Sequence, residues 1–190
     1  MTSFPPPRPI TARWRSLDCG GLDHAVIAPE EGRIVVRGTI VGARGGAAPY
    51  GVYYRLDLDE AWRVRELALG TADGRGLHLL SDGAGHWANG TGEHLPHFDG
   101  CHDVDLAGTA LTNTLPIRRR PWEAGMRSEL KMVYVPFDSF EPVVDLQIYT
   151  CVEAGRRFLY EAADRSFSAE LSIDADGLVT DYPSLFERVL

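Results

Sequence analysis

Cysteine is scarce in this chain: Cys19, Cys101 and Cys151 are the only three in 190 residues, with no CxxC spacing. An odd set without that spacing argues against both a disulfide framework and a thiolate metal site, so the thiols are expected to pack as small hydrophobes in a reducing, cytoplasmic compartment. Long apolar runs are missing as well. No stretch reaches about 18 apolar residues, which excludes a spanning helix. The opening MTSFPPPRPITARW lacks the apolar core of a secretory signal. Basic charge is low: 19 Lys and Arg against 27 Asp and Glu leave a net charge of −8. Phosphate-backbone binding needs a basic face, so nucleic acid is not an expected partner. Neither a GxSxG elbow nor a P-loop is present, so no nucleophile motif or nucleotide cradle marks an enzyme.

What the chain does have is punctuation. Twenty glycines and twelve prolines fall between short apolar runs, a pattern of many turns and short strands. The length suits one domain that buries roughly 70% of its unfolded surface. Residues 1–13 read as a flexible Pro-rich arm and 14–190 as a single β domain. Period two runs through the chain. Val52, Tyr54, Leu56 and Leu58 share a face against Tyr53, Arg55, Asp57 and Asp59. Trp62 and Val64 keep that phase before Leu67 and Leu69 switch it, which requires a bulge or a strand covered on both sides. Arg33 to Val41 is β-branched, with Gly38 a candidate bulge. Gly42 to Pro49 reads as a loop. Leu130, Met132 and Tyr134 alternate, as do Phe167, Ala169, Leu171 and Ile173. Asp73-Gly74, Asp82-Gly83 and Asp176-Gly177 mark turns. Two short helices are expected. One starts at an N-cap in Thr112-Asn113-Thr114, with Pro116 in its first turn. The other spans Ser184 to Val189, where Ser184 and Glu187 have capping-box spacing.

The densest chemistry lies in Asp99 to Arg120, DGCHDVDLAGTALTNTLPIRRR. Asp99, Cys101, Asp103 and Asp105 stand at every second position and would share one strand face. Arg118, Arg119 and Arg120 follow, with Thr112 and Asn113 as further donors. At DGCHDVDL and TNTLPIRR the chain resembles the Putative glycolipid-binding family of bacterial proteins. The ending DADGLVTDYPSLFERV, together with Trp14-Arg15, Leu22-Asp23-His24 and Ala61-Trp62, extends the likeness over roughly Trp14 to Val189. The resemblance implies a mainly β fold, a spiral β-roll in which one long antiparallel meander wraps a short central helix at TNTLPIRR. It also implies a homodimer, a fold similar to bacterial lipoprotein carriers, and an amphipathic small molecule or glycolipid as ligand.

The same residues admit three readings. In the first, a non-catalytic binding protein holds an apolar chain in the curved sheet, in a cavity above about 300 Å³. Its polar head then meets Asp99, Cys101, Asp103, Asp105, Thr112, Asn113, Arg118 and Arg119, with Tyr54 and Trp62 as amphipathic contacts. In the second, Asp103 or Asp105 is the acid or base of a hydrolase. In the third, the acids and arginines form a buried ion cluster locking helix to sheet in a ligand-free dimer. His94, His97, Cys101 and His102 match no closed zinc spacing, so neither metal nor cofactor is expected.

Overall fold

The computed structural model describes residues 4–18, 20–43 and 48–190. Cys19, residues 1–3 of the expected arm and residues 44–47 of the Gly42–Pro49 loop lie outside them. All strands belong to one sheet. Its first half is a meander of β1 (Ile10–Ser16), β2 (Leu22–Glu30), β3 (Arg33–Gly42), β4 (Tyr50–Asp59), β5 (Val64–Thr71), β6 (Gly76–Ser81) and β7 (Trp87–Asn89). The chain then lays β8 (Asp103–Leu106) at the opposite edge and makes a 3₁₀ turn (Leu111–Asn113) and α1 (Thr114–Arg119). It returns through β9 (Arg127–Val135), β10 (Val143–Glu153), β11 (Arg157–Ala162), β12 (Ser168–Ile173), β13 (Val179–Tyr182) and β14 (Phe186–Arg188). The order is β7-β6-β5-β4-β3-β2-β1-β14-β13-β12-β11-β10-β9-β8, so both ends of the chain meet at the middle of the sheet. Every pairing is antiparallel except β8 with β9, which need α1 as their crossover. This is the mainly β roll around one short helix that the sequence predicts.

Three fully buried tryptophans tie the roll together. The Trp14 indole donates to the Val179 carbonyl (2.7 Å), Trp87 to Cys101 (2.8 Å) and Trp122 to Pro116 (3.2 Å). They join β1 to β13, the β7 edge to the segment entering β8, and the β9 side to α1. Thr114, Leu115, Pro116 and Ile117, spread around α1, are all buried, so the helix is covered on every side over its first turn.

Four sequence expectations need correction. Gly38 is not a bulge: Ala25, Gly38 and Tyr54 stand in continuous register, and the Tyr54 ring lies over the glycine. The bulge falls instead at Arg65, the extra residue where Asp57 pairs with Glu66 but Leu58 with Val64. That slip produces the phase switch before Leu67. Asn113 has helical angles and makes no capping bond, because α1 continues the preceding 3₁₀ turn rather than starting fresh. Ser184 to Val189 is no helix. Ser184 takes φ +65°, and Phe186–Arg188 form β14, clamped between β13 and β1. Two flanking ladders outweigh a local capping signal worth about 1 kcal/mol. Finally, β8 begins only at Asp103, so Asp99 and Cys101 precede the strand. Asp99 pairs with His94 (2.9 Å), and Cys101 is buried.

Candidate functional site

Between the turn preceding α1 and the second half of the sheet lies a cavity of about 210 Å³. One side is polar. Asp105 on β8 accepts from Thr112 Oγ1 (2.9 Å) and from the Gln147 amide (2.8 Å). The same Gln147 nitrogen donates to Asp145 (3.0 Å), so one buried amide bridges two carboxylates that line the cavity. Asn113 accepts from the Tyr149 hydroxyl (2.8 Å), and its own amide donates to the Ala110 carbonyl (3.3 Å). Burial pushes the Tyr149 phenol well above its ordinary range, so it remains a donor. The rest of the lining is largely aromatic: Tyr134, the ladder partner of Asp105, with Tyr160, Phe167 and Tyr182. Tyr160 lies 6.1 Å from Phe167 and 6.0 Å from Tyr182, which are themselves 6.1 Å apart. No basic side chain is among the described lining residues. Such a cavity offers carboxylate acceptors and aromatic faces, and it disfavours anions.

Of the residues singled out in the sequence, only Asp105 and Asn113 line this cavity, with Thr112 behind Asp105. Asp103 is fully buried, and both its oxygens accept from Arg119, at 3.0 and 2.7 Å. That bidentate pair clamps the end of α1 to β8. Arg118 turns elsewhere, donating to the Asp176 and Pro5 carbonyls (2.5 and 2.6 Å) and stacking 4.3 Å above the Trp62 ring. Tyr54 is buried beside Asp23. Sequence reasoning missed Asp145, Gln147 and Asp23; it counted Tyr134, Tyr149, Tyr160 and Tyr182 among the aromatics suited to a sugar or headgroup but chose Tyr54 and Trp62 as the contacts. Alternation in VDLQIYT would have placed Asp145, Gln147 and Tyr149 on one face.

Asp23 stands behind the cavity, linked to it by one residue. Thr109, which lines the cavity, donates to Asp23 Oδ2 (2.5 Å), and the Tyr54 hydroxyl reaches both oxygens at 3.3 Å. Burial pushes the Asp23 carboxyl up to about 7, although both hydrogen bonds oppose the rise. An unfolded aspartate titrates near 3.9, so between about pH 4 and 7 the folded chain holds a proton the unfolded chain has lost. The resulting stability is complete below the lower value and disappears as pH rises through the upper one. From pH 5 to pH 8 the wild type should lose roughly 2.5 kcal/mol, or about 5–10 °C, relative to Asp23→Asn. Parallel melting curves check this, and curves that shift together would contradict it.

Fold and site together define a β-roll with a partly open cavity sized for one small polar group. The family model described as Putative glycolipid-binding matches residues 11–188, and the chain belongs to that family. A DUF1089 family protein from Pseudomonas aeruginosa has a similar crystal structure, with 38% sequence identity and a TM-score of 0.78. That likeness covers 89% of this chain and 92% of the other. No curated protein matches the chain. Among the described residues, no helix is long and apolar enough to cross a membrane, and no three His, Cys, Asp or Glu side chains are grouped to hold a metal ion.

Proposed function

We propose that the protein is a non-catalytic binder of an amphipathic ligand, a glycolipid, whose sugar ring occupies the cavity between Asp105, Asp145 and Tyr182. The observation that carries this reading is the pairing of two carboxylates with aromatic rings in one half-open cavity. Sugar hydroxyls donate to carboxylate oxygens, each of which accepts more than one hydrogen bond. The C–H face of a pyranose packs on tyrosine and phenylalanine rings, which bring large apolar area at a polar site. The cavity is smaller than the roughly 300–1,000 Å³ of pockets that engulf whole ligands. It therefore takes the head and leaves the acyl chain outside, a change from the enclosed apolar chain expected from sequence. Against Asp103 as the acid or base of a hydrolase stands Arg119, which takes both its oxygens. The buried free thiols of Cys101 and Cys151 fit a cytoplasmic setting, and exposed Val144 and Leu146 on β10 fit a homodimer.

Native mass spectrometry of the protein as purified tests the proposal. Dimers should carry a reproducible adduct that organic extraction releases as a sugar-bearing lipid. Asp105→Asn, which weakens charge-assisted bonds worth about 1.5–3 kcal/mol, should lose most of it. An undiminished adduct in that variant would remove the cavity from the account.

A further inference from the structure

At the far end of α1 lies a second recess of opposite character. Phe4 to Pro7, Trp62 and the three consecutive arginines line a cleft of about 400 Å³. Arg119 is neutralised by Asp103, but its neighbours are not. Arg118 is held between the Trp62 and Phe4 rings, 4.3 and 5.2 Å from their centroids, and its acceptors are the neutral carbonyls of Asp176 and Pro5. The Asp176 carboxylate is already engaged by Arg8, at 3.1 and 2.5 Å. Arg120 donates to the Ser128 hydroxyl (3.0 Å) and lies over Trp122. Among the described residues neither arginine pairs with a carboxylate, and the one acid on the cleft lining, Glu60, is exposed. Burial holds Arg118 below the ordinary guanidinium range, although the nearby Asp176 and Asp174 charges oppose the fall.

Three donors around this cleft are also orphaned. Arg118 Nε, Arg120 Nε and Trp62 Nε1 are buried without a hydrogen-bond partner, and Trp62 as a whole is only 5% exposed. Native proteins rarely leave buried donors unmet, and an ordered water or an ion is the usual partner beside arginines that lack a direct carboxylate contact. We propose that this cleft is a second site, binding a phosphate-type dianion against Arg118 and Arg120. A phosphate monoester carries about −1.5 to −2 charges at neutral pH, which matches two unpaired arginines. Its tetrahedral oxygens suit guanidinium forks, and a single carboxylate would balance only one of them. The site is separate from the sugar cavity. Asn113 and Arg119 stand at opposite ends of α1, roughly 9 Å apart along the helix axis, and the carboxylates of the cavity repel a dianion. The inference therefore stands or falls independently of the proposed function.

Titrating inorganic phosphate into the ¹⁵N-labelled full chain, with chloride at matched ionic strength as control, tests it. Saturable shifts are expected at the Trp62 indole N–H and the Arg118 and Arg120 Nε–H signals. The Trp14 and Trp87 indoles, already bonded to carbonyls, should stay still. R120Q should weaken binding by about 10-fold or more, and R120K, which keeps the charge, should weaken it less. A parallel arm measures co-sedimentation with phosphatidylcholine vesicles, with and without phosphatidic acid. Retention that requires phosphatidic acid and is lost in R120Q identifies a lipid phosphomonoester. Phosphate shifts without such retention identify a soluble phosphate. The proposal is overturned if chloride reproduces the shifts, or if neither arm shows saturable binding. The wild-type titration decides this even if R120Q does not fold.

Discussion

Asp103→Ala is expected to destabilise the protein by about 3–5 kcal/mol, because it strands the Arg119 guanidinium in a nearly dry site. Asp103 is fully buried, and the Arg119 side chain is 12% exposed, so solvent screens the pair little. For a chain of this size the loss corresponds to a fall of roughly 6–20 °C in melting temperature. The pair joins the last turn of α1 to the parallel edge strand β8, and β8 also carries Asp105. Asp103→Ala should therefore impair the cavity as a by-product of loosening its scaffold. Replacing both partners, Asp103→Val with Arg119→Met, should recover most of the stability, since an apolar pair of similar volume leaves no buried charge. Denaturant melts of wild type, single and double variants decide the matter. A single variant within about 1 kcal/mol of wild type, the range of exposed ion pairs, would return Asp103 to the list of ligand groups.

Gly38→Ala should be nearly as damaging, although it adds only one methyl. An added Cβ would lie 2.2 Å from two Tyr54 ring carbons and 2.4 Å from its hydroxyl oxygen. Tyr54 cannot swing aside cheaply: it is fully buried, and its hydroxyl is directed at Asp23. Overpacking of this sort costs about 1–3 kcal/mol, and displacing the hydroxyl adds the loss of a hydrogen bond to a buried carboxyl. A total near ~3 kcal/mol is expected. The backbone at Gly38 is ordinary strand, so the effect is steric, and Tyr54→Leu should relieve it. The double variant should be less destabilised than the sum of its parts. Additive losses would show that the methyl is met by something other than the ring.

The legible part of the fold is where one face is buried and the other solvated. β12 alternates cleanly, and β4 does so up to the buried Asp57, because each needs only its own residues to show a face. The Asp-Gly turns are local too, and Gly74, Gly83 and Gly177 all take the positive φ that the sequence implies. β14 was not legible. Three residues become a strand only because β1 and β13 flank them, and nothing within Ser184 to Val189 carries that information.

The candidate site divides along the same line. Asp105 and Asn113 stood out through a local motif. Tyr160 and Tyr182 needed the sheet order, because their rings meet across β11 to β13, far from the acids in sequence. The arginines were misgrouped for a reason the sequence does contain. Successive helical residues point about 100° apart, so Arg118 and Arg119 could not both face the same acids. One closes on Asp103 and the other on the Asp176 carbonyl.

The central claim is that the Asp105–Tyr182 cavity receives a sugar ring. Its most direct test is calorimetric titration of n-octyl glucoside and n-octyl galactoside, below their micelle concentrations, into wild type and Asp105→Asn, with the site located by NMR. The account predicts saturable binding of at least one glycoside, with shifts at Tyr160, Phe167 and Tyr182. It also predicts affinity about 10-fold or more weaker in the folded variant. Saturable binding that leaves those rings unmoved, or no saturable binding of either glycoside, would contradict it.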